Sequence, residues 1–486
     1  MVNYEQVIQL ALERGFYFPS CGIYPDAPAG FWEYGPSGVS LKNKFIELWR
    51  RELVRRDRMW EIDGSQIMSQ SVFLASGHLS SFADPVVKCQ KCGSIFRADK
   101  MIAEVCSVVI PESAELEAFD RTIAEKNIRC PKCKGALDGA KKFNMMFRVG
   151  IGPQDEPAYL RPETCQSIFV DFPRLYKTMR GRLPIGVAQI GKSFRNEISP
   201  RQSLLRLREF YQAEIEVFCN PGRLDEIDGF SEVEGTVLNI MADDTIRPMT
   251  CREAYERRTV PNKLVAYYLG LLAEFYKKTG IDTSRSRFRK LGEKEKAFYA
   301  SVAFDFEVET ATGWLELVAC NYRSDYDLTS HGKVSKEKFE VLDDNAKVLP
   351  HVFELSMGID RSLYTILEHS LREDKENERV VLSLKPYLAP VHVGVLSLVK
   401  KDGLAEKTEE IFSRMRTRYD AFLDHSGAIG RRYRRLDEVG APFAVTIDHQ
   451  TLQDGTVTVR SRDSMAQERV STADLDSYIS RSVAFP

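Results

Sequence analysis

The stretch from Gly186 to Phe218 constrains the fold more than any other part of the chain, because it predicts a β-hairpin with a charged connection. Residues 187–190 form an apolar run that suits a first strand, and 207–218 suit a second one, with Ser199-Pro200 in the turn between them. Side chains alternate along a strand, so one face of the second strand is polar and the other apolar. The polar face consists of Arg208, Phe210, Gln212, Glu214 and Glu216.

This polar face suits a nucleotide triphosphate. An arginine pairs with phosphate, an aromatic ring stacks under a base, and carboxylates hold a cation or an amine. Such groups are costly to bury without a ligand, but exposed strands also carry charged runs that are merely solvated. From this segment alone, a nucleotide platform and a solvated, salt-bridged hairpin are both open.

Three segments together resemble the motifs of the class II aminoacyl-tRNA synthetases. FRNEISPRQSLLRLREF, residues 194–210, is similar to motif 2, an FRxE strand, a variable loop and an RxxxF strand. GFWEYGPSG, residues 30–38, with LKNKFIELWRREL after it, is similar to motif 1. PHVFELSMGIDRSLYTIL, residues 350–367, is similar to motif 3. The motifs also occur in the order found in that class.

Two further segments narrow the resemblance within the class. RPETCQSIF, residues 161–169, and AEIE, residues 213–216, are similar to the glycyl-tRNA synthetases of the archaeal and eukaryotic dimeric type. The resemblance covers nearly all of the 486 residues. It implies a glycine–tRNA ligase that forms glycyl-adenylate and pyrophosphate from glycine and ATP, then transfers glycine to the 3′ end of tRNA(Gly).

The resemblance also implies roles for the residues that match the motifs. Phe210 would stack under adenine, Glu197 would meet the adenine edge, and Arg195 would bind the α-phosphate. Arg206 and Arg361 would bind the γ-phosphate. The residues implied in catalysis are Arg195, Arg361 and Glu354, and the carboxylates implied for Mg²⁺ are Glu316 and Glu354.

Glycine has no side chain to hold, so its pocket must bind the ammonium group and exclude every larger amino acid. The glycine-binding set implied by the resemblance is Glu163, Glu214, Glu354 and Ser356. Glu163 and Glu214 would bind the ammonium group, and Ser356 would crowd the α-carbon. Two buried carboxylates repel each other, and a bound cation relieves that repulsion. Steric exclusion rejects larger competitors effectively, which agrees with the lack of an evident editing domain.

Several positions depart from the family pattern. Cys165 and Ser167 stand where the family more often has alanine and glycine in RPETAQG. The run 318–328 lacks a small glycine that the family often has, although it keeps Arg323. Asp360 stands where glycine is common and, because it precedes Arg361, is expected to orient that arginine.

Four of the ten cysteines have informative spacing, in the pairs Cys89-Gln-Lys-Cys92 and Cys130-Pro-Lys-Cys133. Two CxxC turns can supply four thiolates to a tetrahedral Zn²⁺ ion. A disulfide pairing is disfavoured in a cytosolic chain. The sequence therefore predicts a structural zinc site in a ribbon-like insertion over residues 87–143.

The predicted fold is an α+β catalytic domain on an antiparallel sheet, the class II synthetase fold, with insertions and a C-terminal α/β domain. We place the catalytic domain at 1–380 and a mostly helical insertion at 220–289. Strands alternate with helices over 381–486, which is typical of an α/β domain and resembles the anticodon-binding domain of class IIa synthetases.

Composition agrees with a globular protein, since 43% of the residues are hydrophobic. No stretch approaches the roughly 18 to 20 apolar residues of a membrane span, and no signal-peptide pattern occurs, so we expect a cytoplasmic protein. With a net charge of −2, binding of tRNA would depend on local basic surface. The densest basic cluster, residues 430–435, suits phosphate contact or base stacking, or is a solvated loop.

Motif 1 predicts a helix that starts near Pro36 and has one apolar stripe. This motif 1 stripe consists of Leu41, Phe45, Leu48, Trp49 and Leu53. In the family, motif 1 builds the homodimer interface, so the resemblance implies a homodimer. The stripe could equally pack inside one subunit, and the sequence alone does not separate the two.

Two other functions remain open. A class IIa synthetase for threonine, proline or serine would share all three motifs, although Glu163, Glu214 and Ser356 favour glycine. A catalytically silent paralogue could use the fold as a tRNA-binding module. Such paralogues typically lose motif arginines, whereas Arg195, Arg206 and Arg361 are all present here.

Overall fold

The computed structural model describes residues 2–111, 114–200, 202–293, 295–399, 401 and 403–486. Residues 2–81 contain four α-helices and four short strands: α1 Tyr4–Glu13, β1 Tyr17–Pro19, β2 Trp32–Tyr34, α2 Pro36–Trp49, β3 Trp60–Ile62, β4 Ile67–Ser69, α3 Gln70–Ala75 and α4 His78–Ser81. A π-helical turn, Arg50–Arg55, continues α2. The next segment contains β5 Ala83–Lys88, β6 Ile95–Arg97, α5 Ala98–Cys106, α6 Leu116–Glu125, β7 Lys141–Asn144, β8 Phe147–Ile151 and β9 Glu156–Leu160.

The largest part of the chain follows. Its elements are α7 Cys165–Thr178, β10 Ile185–Phe194, β11 Glu209–Cys219, α8 Phe230–Val233, β12 Val237–Ala242, β13 Thr245–Thr250, α9 Cys251–Glu256, α10 Lys263–Thr279, β14 Ser286–Lys290, β15 Val302–Thr310, β16 Gly313–Ser324, α11 Tyr326–Ser335, β17 Val341–Asp343, β18 Ala346–Val348, β19 His351–Gly358, α12 Ile359–Ser370, β20 Leu371–Asp374 and β21 Arg379–Leu382.

The C-terminal part alternates strands and helices. It consists of β22 Val393–Ser397, α13 Leu404–Met415, β23 Ala421–Asp424, α14 Ile429–Val439, β24 Phe443–Ile447, α15 His449–Asp454, β25 Thr456–Ser461, β26 Gln467–Ser471 and α16 Leu475–Val483. Its five strands lie in the order β23-β22-β24-β25-β26. The first three are parallel and the last two pair antiparallel. The α/β architecture predicted for this region is confirmed.

A nine-stranded sheet in the order β13-β12-β14-β15-β16-β19-β11-β10-β3 forms the centre of the catalytic part. Its pairs are antiparallel except β12 with β14 and β10 with β3. The predicted hairpin is β10 and β11, which pair over ten residues from Ile185–Phe218 to Phe194–Glu209. The prediction of a catalytic domain on an antiparallel sheet is therefore confirmed, and its central strands come from motifs 2 and 3.

The motif 1 helix packs inside the chain. Every side chain of the motif 1 stripe is at most 1% exposed. The ring of Phe45 lies against Phe275 of α10, with ring centroids 5.5 Å apart. The alternative of intrachain core packing therefore holds for this stripe.

The range 220–289 differs from the mostly helical insertion that the sequence predicted. It contains α8, α9 and α10, but also β12, β13 and most of β14, which lie at one end of the nine-stranded sheet. Helix α10 is buried along nearly its whole length because it packs on this extended sheet. These residues are therefore part of the sheet and its cover, not a separate helical layer.

The basic cluster at 430–435 belongs to helix α14 and is not a loop. Arg432 is buried and donates to the carbonyl oxygen of Ser397, 2.6 Å away. Arg435 is paired with Asp424 at 2.6 Å. These arginines hold the C-terminal domain together, which weakens the interpretation of the cluster as a basic RNA surface. Among the described residues, no helix has the length and apolar character needed to span a membrane.

Candidate active site

A cavity of about 280 Å³ lies on one face of the nine-stranded sheet, over strands β11, β16 and β19. It brings together nine of the ten residues that the sequence analysis proposed for ATP, glycine and magnesium. They are Glu163, Arg195, Glu197, Arg206, Phe210, Glu316, Glu354, Ser356 and Arg361. The tenth, Glu214, lies just below the wall, where it is 1% exposed and bonded to Ser356.

Strand register builds one end of the cavity. Glu214 lies opposite Ser356, which lies opposite Ala319 on the next strand. In the adjacent row, Glu216 lies opposite Glu354, which lies opposite Asn321. Side chains at paired positions point to the same face of a sheet, so these two rows project together. We call this part of the cavity the carboxylate end.

Glu163 precedes helix α7 and is held through one oxygen. Gln166 Nε2 donates to Glu163 Oε1 at 2.8 Å, and Cys165 Sγ donates to the same oxygen at 3.1 Å. His78 Nε2 lies 3.5 Å from it. Burial alone would raise the pKa of Glu163, but the attraction of His78 and Arg323 outweighs burial and holds it well below the usual value. Glu163 is therefore ionised.

Glu214 is held through both of its oxygens. Thr164 Oγ1 donates to Oε2 and Ser356 Oγ donates to Oε1, each at 2.5 Å. Burial, followed by the charge of Glu163, raises the pKa of Glu214, while these hydroxyl donors oppose the rise. The carboxyl group is thus in place before any ligand binds.

Glu354 is fixed by β16. Arg323 Nη1 donates to its Oε1 at 2.9 Å, and Asn321 Nδ2 donates to its Oε2 at 2.6 Å. Arg323 is fully buried and also forms two 2.7 Å bonds to Asp327. Burial raises the pKa of Glu354 to about 7 despite the adjacent guanidinium. This group therefore changes its charge near neutral pH.

Glu216 adds a fourth glutamate to the carboxylate end. It is fully buried, and neither oxygen has a hydrogen-bond partner among the described residues. Burial and the nearby charge of Glu354 raise its pKa well above the usual value, so it is neutral. Four glutamates close to the buried Arg323 guanidinium make this end suited to a small cation.

The other end of the cavity contains arginines, and we call it the arginine end. The Arg195 guanidinium lies 5.3 Å from the centre of the Phe210 ring and donates to the Pro162 carbonyl oxygen at 3.2 Å. Arg206 is paired with Glu197, with 2.6 Å between Nη2 and Oε2. A planar aromatic ring beside cations is suited to a base and its phosphates.

Arg361 lies in the first turn of helix α12 and reaches across to β16. Its Nη1 donates to the Glu316 carbonyl oxygen at 3.0 Å and lies 3.5 Å from Glu316 Oε2. Its Nε donates to the Leu205 carbonyl oxygen at 3.3 Å. The guanidinium therefore connects motif 3 to the motif 2 loop at the arginine end.

Glu316 faces the cavity because of a β-bulge. Phe306 pairs with Val318, but the next residue, Glu307, pairs with Glu316, so Leu317 is an extra residue in β16. The extra residue shifts the alternation by one. Glu316 therefore lies on the same face as Asn321, although a strict two-residue period would separate them.

Glu316 and Glu354 lie at opposite ends of the cavity. Asn321 is opposite Glu354, and Glu316 is five residues away along β16, a distance of roughly 16 Å along a strand. The sequence analysis predicts that both carboxylates bind Mg²⁺. At this separation, Glu316 and Glu354 cannot bind the same magnesium ion. Glu354 also accepts one hydrogen bond on each oxygen, from Asn321 and Arg323, on the side of β16.

Asp360 does not contact Arg361 among the described contacts, which corrects the expectation that it orients this arginine. It accepts hydrogen bonds from the Tyr34 hydroxyl group and, at 2.6 Å, from the Tyr211 backbone N–H group. Burial raises the pKa of Asp360 to about 6. The Lys42 ammonium group lies over the Tyr211 ring at 3.8 Å. Asp360 therefore joins motif 3 to motifs 1 and 2.

The four cysteines with CxxC spacing come together in the structure. Cys89 Sγ and Cys133 Sγ are 3.5 Å apart, and Cys92 Sγ and Cys130 Sγ are 3.7 Å apart. None of them forms a disulfide. A zinc ion with Zn–S bonds of about 2.3 Å has sulfur–sulfur edges of about 3.8 Å, so the group fits such an ion.

The sequence analysis missed several residues at the carboxylate end. Thr164 positions Glu214, Asn321 positions Glu354, and Tyr299 lines the cavity. Asn321 could have been found from the two-residue period of β16, because this period places it on the same face as Ala319. Tyr299 lies in the connection before β15, where no periodicity identifies it.

Two protein families match the chain. The class II core domain of tRNA synthetases for G, H, P, S and T matches residues 147–370, and an anticodon-binding domain matches residues 392–482. Solved structures share the fold at low identity. A threonyl-tRNA synthetase structure from Cryptosporidium parvum, titled as its RNA-binding domain, has a TM-score of 0.61 at 18% identity, covering 99% of this chain and 98% of that chain. Prolyl-tRNA synthetase from the same organism has a TM-score of 0.58 at 13% identity, covering 98% and 76%.

Curated relatives are more similar. A glycine–tRNA ligase of Methanothrix thermoacetophila is 39% identical, over 97% of this chain and 95% of its own length. Glycine–tRNA ligases of Methanocaldococcus jannaschii and Pyrococcus furiosus are each 38% identical, over 98% and 96% of this chain and over 98% and 97% of their own lengths.

Proposed function

The chain belongs to the glycine–tRNA ligases, and we propose that it activates glycine with ATP in this cavity and transfers it to the 3′ end of a tRNA. The observation that carries the site assignment is the carboxylate end, where Glu163 and Glu354 line the cavity and a carboxylate oxygen of Glu214 lies within 4.8 Å of one of Glu354. The arginine end, with Phe210, is suited to ATP.

Glycine would bind with its ammonium group among the carboxylates. Glu163 and Glu214 are the two residues that the family resemblance implies for binding the ammonium group. Ser356 lies between Glu214 and the open cavity. A side chain on the substrate would meet this wall, which excludes larger amino acids by contact. The neutral carboxyl of Glu216 limits the repulsion that the empty site must bear.

The activation step needs positioning and charge stabilisation. The glycine carboxylate forms a bond to the α-phosphorus of ATP, the bond from phosphorus to the bridging oxygen breaks, and pyrophosphate leaves. Arg195, Arg206 and Arg361 would stabilise the charge on the phosphates, and Phe210 would stack under adenine, beside Glu197. The tRNA ribose hydroxyl then attacks the glycyl carbonyl carbon and AMP leaves. Neither step needs a side-chain nucleophile.

Magnesium would bind at the arginine end. Glu316 is 45% exposed there, and its negative charge, after burial, raises the pKa of nearby Asp305 to about 7. Two neighbouring carboxylates beside phosphate-binding arginines suit a hard divalent cation. When bound, Mg²⁺ would supply positive charge to the triphosphate.

A structural zinc ion would fit the four thiols of Cys89, Cys92, Cys130 and Cys133. We expect about one zinc per chain by atomic emission. Cys130→Ser should lose the metal and lower the melting temperature, whereas Cys21→Ser, at an exposed cysteine, should do neither. Purified wild-type protein with no more zinc than Cys130→Ser would remove this assignment.

The C-terminal α/β domain would bind the anticodon part of tRNA(Gly), as its family match suggests. As an enzyme of translation, the protein is expected to act in the cytoplasm. We also propose a homodimer through motif 1. Its stripe is buried, but four apolar side chains in and near motif 1 in sequence are exposed: Phe18, Ile23, Tyr24 and Val39. Ile23→Asp should convert a dimer to a monomer in sedimentation velocity, and an unchanged mass would reject this surface.

The decisive experiment is amino-acid-dependent ATP–pyrophosphate exchange with purified protein and Mg²⁺, tested with all twenty amino acids. Exchange with glycine alone is expected. Exchange with threonine, proline or serine would keep the fold and overturn the pocket assignment. No exchange with any amino acid, in folded protein, would favour the silent tRNA-binding paralogue.

A further inference from the structure

Glu163 offers its two oxygens to different surroundings. Oε1 accepts from Gln166 and Cys165 and lies near His78, whereas no bond to Oε2 occurs among the described residues. Glu163 lines the cavity, so Oε2 is the oxygen available to a ligand. Its orientation therefore depends on the donors that hold Oε1.

The amide of Gln166 is itself oriented by a third residue. His331 of helix α11 lies with its Nε2 2.9 Å from Gln166 Oε1. Since Gln166 Nε2 donates to Glu163, its Oε1 must accept, and the His331 proton is on Nε2. A flipped amide would bring its oxygen against the Glu163 carboxylate and lose both bonds.

The surroundings keep these donors in their donating form. Burial, opposed by Asp327 and reinforced by Arg323 and His78, lowers the pKa of His331, so its ring is neutral with one N–H group. Burial and the charge of Glu163 raise the pKa of Cys165 well above the usual value, so its thiol remains protonated. Cys165 is also one of the positions at which the chain departs from the family pattern.

We propose that Cys165, Gln166 and His331 are positioning residues that hold one oxygen of Glu163 and so present the other to the glycine ammonium group. The inference rests on the proposed function and deepens it. His331 reaches this role from the wall of a second cavity of about 630 Å³, between α3, α7 and α11, outside the glycine site. The positioning set therefore extends away from the substrate by two hydrogen bonds.

The test compares Michaelis constants for glycine and ATP in ATP–pyrophosphate exchange. We expect Gln166→Met and His331→Leu each to raise KM for glycine about tenfold, because each removes one of the hydrogen bonds that lead from His331 to the Glu163 carboxylate. KM for ATP and kcat should each change less than about twofold. Cys165→Ala should raise KM for glycine about twofold to threefold, since a thiol is a weak donor.

Two variants separate positioning from general stability. His331→Gln retains an N–H donor and should recover most of the glycine affinity that His331→Leu loses. Ser335→Ala, one turn further along α11 and on the same cavity wall, removes a hydroxyl bonded to the His331 carbonyl oxygen and should change neither constant.

The outcomes are distinct. Wild-type protein without glycine-dependent exchange would overturn the proposed function. Active wild type with unchanged KM for glycine in Gln166→Met and His331→Leu would overturn only the positioning role. Equal increases in KM for both substrates, or a loss in Ser335→Ala as large as in His331→Leu, would also overturn it. If His331→Leu does not fold, Gln166→Met and Cys165→Ala decide.

Discussion

The two ends of the cavity are built in different ways. At the carboxylate end, Glu163, Glu214 and Glu354 are 7%, 1% and 2% exposed, and each is held by side chains from neighbouring elements. At the arginine end, the side chains of Arg206 and Arg361 are 32% and 37% exposed, and each is paired with a carboxylate. The carboxylate end is enclosed, and its side chains are fixed. The arginine end is open, and its arginines form ion pairs with carboxylates of the same end.

This difference corresponds to the two substrates. Glycine is small and offers few contacts, so its affinity depends on groups that are already in place. ATP carries a large negative charge, which can displace Glu197 and Glu316 from their arginines when it binds. Changes at the carboxylate end should therefore act on glycine alone, and changes at the arginine end on ATP.

The largest effect should follow from Glu163→Gln. This change removes the charge that faces the ammonium group, and breaking one partner of a buried ion pair costs roughly 3 to 5 kcal/mol, or about a thousandfold in kcat/KM for glycine. ATP binding, measured by equilibrium dialysis, should be unchanged. Glu209→Gln, which alters a partly exposed ion pair between β11 and Lys192 of β10, is the control. Near-normal glycine turnover would remove Glu163 from the site.

Arg361→Lys should produce the next largest effect, at the other end. Lysine cannot reproduce the guanidinium fork, so we expect kcat/KM for ATP to fall about a hundredfold and KM for glycine to change little. The same change at the exposed Arg372 should have no effect. Equal losses for both substrates would show that the two ends are not independent.

The glycine constant should also depend on pH. The pKa of Glu354 is about 7, and an ammonium ion binds its ionised form better. KM for glycine should therefore fall as pH rises, by up to about tenfold between pH 6 and pH 8. KM for ATP should vary less over this range. A glycine constant that is flat, or that rises with pH, would contradict this charge assignment.

The smallest of these four effects should come from Ser356→Ala. It removes the 2.5 Å hydrogen bond to Glu214, which is worth about 1 kcal/mol, so KM for glycine should rise about fivefold. Steady-state exchange measures this directly, with alanine as a competing substrate. Because the wall widens, alanine should become a detectable substrate, and its complete absence would mean that Ser356 does not border the α-carbon.

Local patterns predicted the features that depend on residues near in sequence. The hairpin faces followed from the two-residue period, the buried stripe of α2 from helical spacing, and the Cys89-to-Cys133 cluster from two CxxC turns. Each needs only a short segment and its own geometry. Most of the residues that line the cavity could therefore be predicted from the sequence motifs.

Other features depend on partners far along the chain. The bulge at Leu317 arises from how β16 pairs with β15, so the face of Glu316 could not be read from its own strand. The strands in 220–289 are stabilised by sheet neighbours, which a short helical pattern conceals. Asp360 was assigned to Arg361, its neighbour in sequence, whereas its partners are Tyr34 and Tyr211.

The carboxyl group of Asp360 also has a consequence for how the enzyme is made. Its bond to Tyr34 spans 326 residues and its bond to Tyr211 spans 149. During synthesis, motifs 1 and 2 emerge from the ribosome long before Asp360. A partly synthesised chain therefore lacks the two hydrogen bonds through which Asp360 connects these motifs. Chains truncated before residue 360 should therefore lack a complete catalytic centre, which should form late in synthesis, after motif 3 leaves the ribosome.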